Sequence, residues 1–477
     1  MEAEFQQRVA KTQFSKSNDP EPVNPSDQEI SPITLQAVFQ DDSDFSLAER
    51  FILTHGRNWR YVAKWKKWFR WDGSRWMISE KMEHMTAINK VVAEASEQFD
   101  KKLKSAAKSH AVCTVATSNQ EIAAHPDEFD ANQWLLGCNG LTVNLRMGER
   151  TRPHRDDLIT KSCHATPDEY ACPRWLQFLE EVFDGDAEVI GFMQRVCGYT
   201  LTGSTKEQKL FFLYGTGRNG KSVFLDTFSG IMGDYARTAA SNLFLDSKYS
   251  EHATGLAGLA GARLVVGSEL PAGKAWNEAV IKDMTSSDTL TARFMRGDYF
   301  DFKPTHKLFI AGNHQPAFRS VDEAIRRRVV LIPFTITISP DKVDTDLEEK
   351  LKDEWPAILS WAVDGCLEWQ DNGLQIPEVI SKASEDYMEA EDSVGMFLED
   401  CTVQEGQIST HDLFQAFHQW QRDSGVSNTW TQKAMTQAIK ERNNEYGKLP
   451  KCNGTRGFLK LSLRPKTTKY PNKWVDG

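Results

Sequence analysis

Hydrophobic and polar positions change rhythm several times along the chain. Residues 1 to about 43 show none: they are polar, with Pro20, Pro22, Pro25 and Pro32 among scattered acids. Such a stretch buries too little apolar surface to offset the entropy of ordering it, and is expected to form a disordered acidic lead-in. From Phe45 the pattern is that of a folded chain. Leu47, Phe51, Ile52 and His55 have helical spacing. Trp65 to Ile78 predicts two strands around an Asp72-Gly73 turn. Aromatic and basic residues interleave there, as they do on single-strand stacking platforms. The alternation of Phe69, Trp71, Trp76 and Ile78 favours a half-buried hairpin whose aromatics fill a small core while Arg and Lys face water. Met82 to Ala106 predicts a helix with a charged face, and Trp134 to Arg146 a strand pair turning at Asn139-Gly140.

Pro173 to Leu201 reads as helices, with Trp175, Phe178, Leu179 and Val182 at 3–4 spacing. Then comes Leu210-Phe211-Phe212-Leu213-Tyr214, an apolar run of strand length, and after a glycine-rich loop an amphipathic run from Val223 to Met232. Two further buried-strand patterns follow, Arg263 to Glu269 and Lys307 to Asn313, with an alternating hairpin pattern between them from Thr289 to Phe302. Leu347 to Trp369 predicts one strong amphipathic helix. His411 to Arg422 and Thr431 to Arg442 predict two more, and Gly457 to Leu463 a strand. Helix, helix, strand with a basic turn (Lys448, Lys451, Arg456) points to a winged helix.

Composition narrows the function classes. The chain has 477 residues, 40% of them apolar, which allows several domains with real cores. The net charge of −10 excludes a protein coated in basic patches, so any nucleic-acid contact must be local. No run approaches the length of a membrane span, and the start lacks the basic and apolar regions of a signal peptide. Eight cysteines are scattered without a CxxC; Cys163-His164 with Cys172 lacks the paired spacing of a zinc site. A reduced protein of the bacterial host cytoplasm, without a membrane partner, is the expectation.

The candidate chemistry lies in the centre. Gly215, Thr216, Gly217, Arg218, Asn219, Gly220, Lys221 and Ser222 form a GxxxxGK[ST] loop between strand and helix. The glycines let backbone N–H groups curl around phosphate oxygens, and the helix adds its positive end. Lys221 is expected to reach the β- and γ-phosphates of ATP, and Ser222 to offer its hydroxyl to Mg²⁺. Glu269, ending a buried strand, can order Mg²⁺ through water or polarise the attacking water. Asn313, ending another, can touch both γ-phosphate and water. Arg326-Arg327-Arg328 stands at a helix end before the apolar strand Val329 to Phe334 and can supply an arginine finger. Arg293 and Arg296, near the hairpin tip, can hold phosphates of a single strand.

This ordered set resembles superfamily 3 helicases, specifically the poxvirus D5-like and phage P4 primase-helicase group. The residues that carry the resemblance are Gly215 to Ser222, Ser268-Glu269, Lys282 with Asp288 and Arg293, Ala311-Gly312-Asn313-His314-Gln315-Pro316, and Asp322-Glu323-Ala324-Ile325 with Arg328 and Ile332-Pro333-Phe334. Upstream, Trp71-Asp72-Gly73-Ser74-Arg75-Trp76, Asn139-Gly140-Leu141 and Gly198-Tyr199-Thr200-Leu201-Thr202-Gly203 are similar to the D5 N-terminal domain. The resemblance covers roughly residues 44 to 400. It implies an α/β fold: an AAA+-type P-loop core with a parallel sheet at 206–340, after an α+β N-terminal domain at 44–170 and a helical collar at 171–205. A helical segment at 341–392 and a winged helix at 393–470 complete the expected organisation. It further implies a homo-hexameric ring that hydrolyses ATP between subunits and moves 3′→5′ on single-stranded or forked DNA, in phage, prophage or plasmid replication. Lys221 and Ser222 would then be phosphate and Mg²⁺ ligands, Glu269 the acid, Asn313 the sensor and Arg328 the finger, with Arg327 in reserve. Lys282, Arg293 and Arg296 would contact DNA. Two departures stand out: Glu269 has no adjacent second acid, and where relatives often carry an upstream primase domain this sequence has the short polar lead-in, so primer synthesis is not expected of this polypeptide and a separate primase or polymerase is a candidate partner. The rival readings are a packaging or remodelling motor, and an origin-binding protein that uses ATP only to assemble.

Overall fold

The structure, a computed structural model, describes residues 41–245, 252–267, 275–295, 297–316, 318, 322–339, 341, 343–390, 392–424, 430–442 and 457–464. Glu269, Arg296, the basic turn with Lys448, Lys451 and Arg456, and nearly all of the expected lead-in lie outside the described residues. The chain divides into two compact units. One takes in residues up to Trp71 together with Met77–Pro126; the other takes in Asp72–Trp76 and everything from Asp127 on.

Along residues 44–116, α1 (Asp44–His55) is followed by β1 (Trp59–Val62), β2 (Lys67–Trp71), β3 (Trp76–Ile78), α2 (Glu83–Gln98) and α3 (Ala106–Ala116). Ser43 caps α1 by accepting the Ser46 amide at 3.1 Å. Leu47, Phe51 and Ile52 of α1 pack with Ile88, Val91 and Val92 of α2 and with Val112 of α3 over Trp59 and Trp68. The strands do not follow the simple alternation expected. Pairing sets Tyr61 opposite Trp68 and Arg60 opposite Phe69, so Trp68 and Phe69 point to opposite faces, yet both are buried, whereas Ile78 is exposed. Trp68 lies under the helices, stacked on His84 at 5.3 Å, and Phe69 lies against the Trp65 ring. A period of two describes a sheet with one covered face; this one is covered on both.

The second unit opens with an antiparallel meander, β4 (Leu135–Cys138), β5 (Leu141–Asn144) and β6 (Glu149–Thr151), turning at Asn139-Gly140 as expected. Helices α4 (Pro173–Val182) and α5 (Ala187–Leu201) lead to β7 (Leu210–Tyr214), α6 (Lys221–Met232), β8 (Ala236–Ala239), α7 (His252–Ala257) and β9 (Leu264–Gly267). Then come α8 (Glu278–Met284), the hairpin β10 (Leu290–Arg293) and β11 (Tyr299–Phe302), β12 (Lys307–Gly312), α9 (Glu323–Arg326) and β13 (Val329–Pro333). Five of these strands form one parallel sheet in the order β13-β7-β12-β9-β8. Side chains alternate across it. Phe211 and Leu213 join the core containing Phe224 and Phe228 of α6, while Leu210 and Phe212 join Trp276 and Tyr387 on the other face. Burial on both faces is why these strands read as continuous apolar runs.

The helix expected over Leu347 to Trp369 is two: α10 (Leu347–Asp353) and α11 (Trp355–Asn372). Pro356 lies in the first turn of α11, where its missing N–H is harmless and where it ends the preceding helix. The Glu354 carboxylate at the break accepts the Arg174 and Trp175 amides at 3.0 and 2.9 Å, tying α4 to this corner. Helices α5 and α11 touch backbone to backbone: a Cβ on Gly198 would stand 2.0 Å from the Cys366 nitrogen, and one on Gly365 2.2 Å from the Gln194 carbonyl oxygen. Beyond α12 (Glu378–Ala390), helices α13 (Ser393–Cys401), α14 (Thr410–Ser424) and α15 (Gln432–Arg442) enclose Phe397, Phe417 and Trp420. The strand expected at 457–463 breaks at Lys460, whose φ is +56°. Its halves β16 (Gly457–Leu459) and β17 (Ser462–Leu463) pair with β15 (Gln407–Ser409) and β14 (Thr402–Val403) respectively. Among the described residues no helix is long and apolar enough to cross a membrane.

Candidate nucleotide and nucleic-acid sites

The glycine-rich loop sits at the carboxyl edge of the parallel sheet, between β7 and α6. Gly220 opens α6 with φ +84°, and a Cβ there would meet Val182 and Phe178 of α4 at 2.6 and 2.9 Å. Gly215 is as tightly confined: a Cβ would stand 2.2 Å from both Asn219 Nδ2 and the Phe334 carbonyl oxygen. Only glycine fits either position. Asn219 is the loop's clamp. Its Nδ2 donates to the Phe334 carbonyl at 2.9 Å, and its Oδ1 accepts from Lys221 Nζ at 3.0 Å. Lys221, buried inside the loop, also donates to the Gly215 carbonyl at 2.6 Å. The amides of Thr216, Gly217, Arg218, Asn219 and Gly220 have no acceptor among the described residues. Consecutive unclaimed N–H groups ahead of a helix N-terminus suit an anion. Ser222, exposed in the first turn of α6, lies next to them.

Asn313 belongs to the same place. Parallel pairing sets Gly312 opposite Tyr214, so the residue after β12 emerges beside the loop, and Asn313 Oδ1 accepts from Lys221 Nζ at 3.1 Å. Two groups 92 positions apart in sequence thus meet at one ammonium. Glu269 lies outside the described residues; the strand leading to it, β9, ends at Gly267 alongside β12. The site therefore gathers a loop of open amides, a lysine and a side-chain amide, a set that fits a nucleotide's phosphates.

The three arginines lie elsewhere. Val329 pairs with Leu210, so Arg326, Arg327 and Arg328 stand at the amino edge of the sheet, away from this chain's own loop. Arg328, the first choice for a finger, is turned inward and buried: Nε donates to Thr285 Oγ1 at 3.0 Å and Nη1 to the Ala324 carbonyl at 2.9 Å. Burial, with the Arg327 charge adding to it, lowers its pKa. Arg326 donates to Asp392 at 3.0 Å. Arg327 is exposed, and its carbonyl accepts from Lys209. The reserve choice is the one whose side chain faces water. Lys282, proposed from sequence as a DNA contact, forms an ion pair with Asp322, the N-cap of α9. Arg293 lies 5.0 Å above the Tyr299 ring. Sequence reasoning missed the Phe334 carbonyl that locks Asn219 and the Thr285 hydroxyl that holds Arg328; neither position carries a signal of its own.

Comparison with known proteins agrees with this geometry. Residues 48–184 match the family described as D5 N terminal like, and residues 213–328 match a family of unknown function, DUF5906. The protein named "Putative helicase L207/L206" of Acanthamoeba polyphaga mimivirus is 23% identical over 359 residues, which is 69% of this chain and 37% of that protein. "Putative helicase 022R" of Frog virus 3 is 26% identical over 293 residues, 56% of this chain and 30% of that protein. This chain thus spans about a third of the length of these relatives. The apo structure of the NrS-1 C terminal region (305-718) superposes with a TM-score of 0.53 at 11% identity, covering 89% of this chain and all of that one. At that identity the likeness shows the fold. Fold and loop make this an α/β P-loop protein. Within that class its matched stretches are similar to the D5-like group of helicases and primase-helicases.

Proposed function

We propose that this chain is an ATP-dependent replicative DNA helicase of a viral, phage or plasmid genome, working as a hexameric ring that moves 3′→5′ on single-stranded DNA. The observation that carries this reading is the meeting of Lys221 Nζ and Asn313 Oδ1 at 3.1 Å beside the five open amides of the loop. In this reading the amides of residues 216–220 hold phosphate oxygens, Lys221 leaves its amide partners for the β- and γ-phosphates, and Ser222 offers its hydroxyl to Mg²⁺. The metal, when bound, neutralises charge that develops on the phosphates. Glu269 polarises the attacking water, and Asn313, released by Lys221, bonds to the γ-phosphate or that water. Arg327 supplies the finger to a neighbouring subunit's nucleotide, since it stands at the sheet edge away from its own loop and faces water. Arg293 and Arg296 meet the DNA backbone through phosphate contacts, which are blind to sequence and sensitive to salt.

Three proteins test this: wild type, Lys221→Ala and Glu269→Gln, each assayed for nucleotide binding, ATP turnover and unwinding of a 3′-tailed fork. The expected result is turnover and unwinding by wild type, loss of both in Lys221→Ala, and nucleotide binding without turnover in Glu269→Gln. Near-normal turnover by Lys221→Ala would overturn the reading of the loop. Wild-type turnover that DNA does not stimulate, with no unwinding, would leave an ATP-assembled binding protein instead.

A further inference from the structure

The aromatic and basic stretch of the first unit is only partly used by its core. Trp59 and Trp68 fill the interior with α1 and α2, but Trp65, at the turn joining β1 to β2, is 45% exposed. The turn is closed by backbone bonds from the Trp65 amide to the Val62 carbonyl (3.2 Å) and from the Lys66 amide to the Ala63 carbonyl (3.1 Å), with Lys66 at φ +54°. The Trp65 ring neighbours the Phe69 ring, with centroids 6.0 Å apart and planes tilted by 43°. Lys64, Lys66 and Lys67 surround it, all exposed, and none pairs with an acid among the described residues. Between Gly56 and Trp71 there are six basic residues and no acid, in a chain of net charge −10. Lysines alone would be explained as protection of a hairpin end from strand addition, and one exposed apolar side chain needs no explanation. Protection does not call for a tryptophan, and a core that already holds Trp59 and Trp68 does not need this one.

We infer that the β1–β2 turn is a second contact for single-stranded nucleic acid: a base stacks on the Trp65 ring while Lys64, Lys66 and Lys67 hold the flanking phosphates. Every base presents a π-face and every nucleotide a phosphate, so such a contact tolerates any sequence. The inference rests on the helicase reading only in that the protein must meet a single strand. It adds a point of grip on the unit that does not carry the phosphate loop.

The test is fluorescence anisotropy of a labelled 30-residue oligothymidylate with the full chain at several salt concentrations, alongside ATP turnover without DNA. Trp65→Ala should weaken binding roughly tenfold with an unchanged salt slope, and Trp65→Phe should recover most of it. Replacing Lys64, Lys66 and Lys67 by Ala should weaken binding and reduce the logarithmic salt slope by about 2. Basal turnover should stay at the wild-type level in all of them. If wild type binds the oligonucleotide and these variants bind equally well, the turn is not a contact and the inference fails while the helicase reading stands. If oligonucleotide binding is unaffected but flotation with phosphatidylserine vesicles is lost in the variants, the turn is a membrane contact and the inference is equally overturned. Lys221→Ala turnover judges the nucleotide site separately.

Discussion

Two lysines lie buried at opposite edges of the same parallel sheet, and they are held in different ways. Lys307 opens β12 at the amino edge. Its Nζ donates to the backbone carbonyls of Thr202, Ser204 and Thr305 and lies 4.8 Å above the Tyr199 ring. Beside it, Arg263 donates to the Leu201 and Leu135 carbonyls at 2.6 and 2.7 Å. Burial, reinforced by the Arg263 charge, pushes the Lys307 pKa well below its ordinary value. Lys221, at the carboxyl edge, donates among the described residues to the Gly215 carbonyl and to the side-chain amides of Asn219 and Asn313. A carbonyl in a packed segment cannot move without its chain, whereas a side-chain amide can turn to another rotamer. Lys307 is a fastener between segments; Lys221 rests in part on the Asn313 side-chain amide, a partner that can turn away when the lysine exchanges it for a phosphate.

The sharpest break of this comparison is Lys221→Ala against Lys307→Met. The first should lower ATP turnover by at least about a hundredfold, as loss of a charge-stabilising donor does, with a smaller loss of stability than the second, since the Gly215 carbonyl is the one backbone acceptor named for it. The second should lower stability by about 3 kcal/mol in urea unfolding, because buried carbonyls lose their donor. A Lys307→Met protein as stable as wild type would show that these carbonyls find water or other donors.

A second pair separates the arginines at the amino edge. Arg328→Ala should destabilise by about 2 kcal/mol, removing the partner of Thr285 and of the Ala324 carbonyl. Arg327→Ala should leave the thermal midpoint unchanged and reduce turnover only where subunits assemble. Equal midpoints for both variants would remove the distinction drawn between them.

The smallest expected effect is one of pH. His306, next to Lys307, is fully enclosed, and burial, with the Lys307 charge adding to it, lowers its pKa from 6.5 to about 4. The unfolded chain therefore binds this proton more readily than the folded one between those values, so its contribution makes stability fall as pH falls from 6.5 towards 4. At pH 5 that amounts to at most about 2 kcal/mol. Asp364, raised to about 6 by burial, acts in the opposite sense, gaining stability as it takes up a proton between pH 6 and its unfolded value. Chemical unfolding of wild type and His306→Phe at pH 7 and pH 5 isolates the histidine: the variant should lose less stability on acidification. Parallel losses in the two proteins would assign the slope to other groups.

Local order is what the sequence determined. The strand, glycine loop and helix from Leu210 to Met232 are neighbours along the chain, and their apolar spacing and glycines specify them without help. The same holds for the turn at Asn139-Gly140 and for the hairpin of β10 and β11, where backbone preference and alternation act over a few residues. Asn313 was legible as the polar end of a buried strand, and the parallel register carried it to Lys221. What only the tertiary structure decided is which groups are saturated and which face water. Arg326, Arg327 and Arg328 are three identical letters; the position of Thr285 and the Ala324 carbonyl turns one inward, Asp392 takes another, and Arg327 is left in solvent. Likewise the period of Trp65 to Ile78 could not reveal that both faces of its sheet are covered, nor that Trp65 would remain outside. Spacing constrains where a side chain stands on its own element, but its charge and hydrogen bonds are settled by partners that fold in from distant parts of the chain.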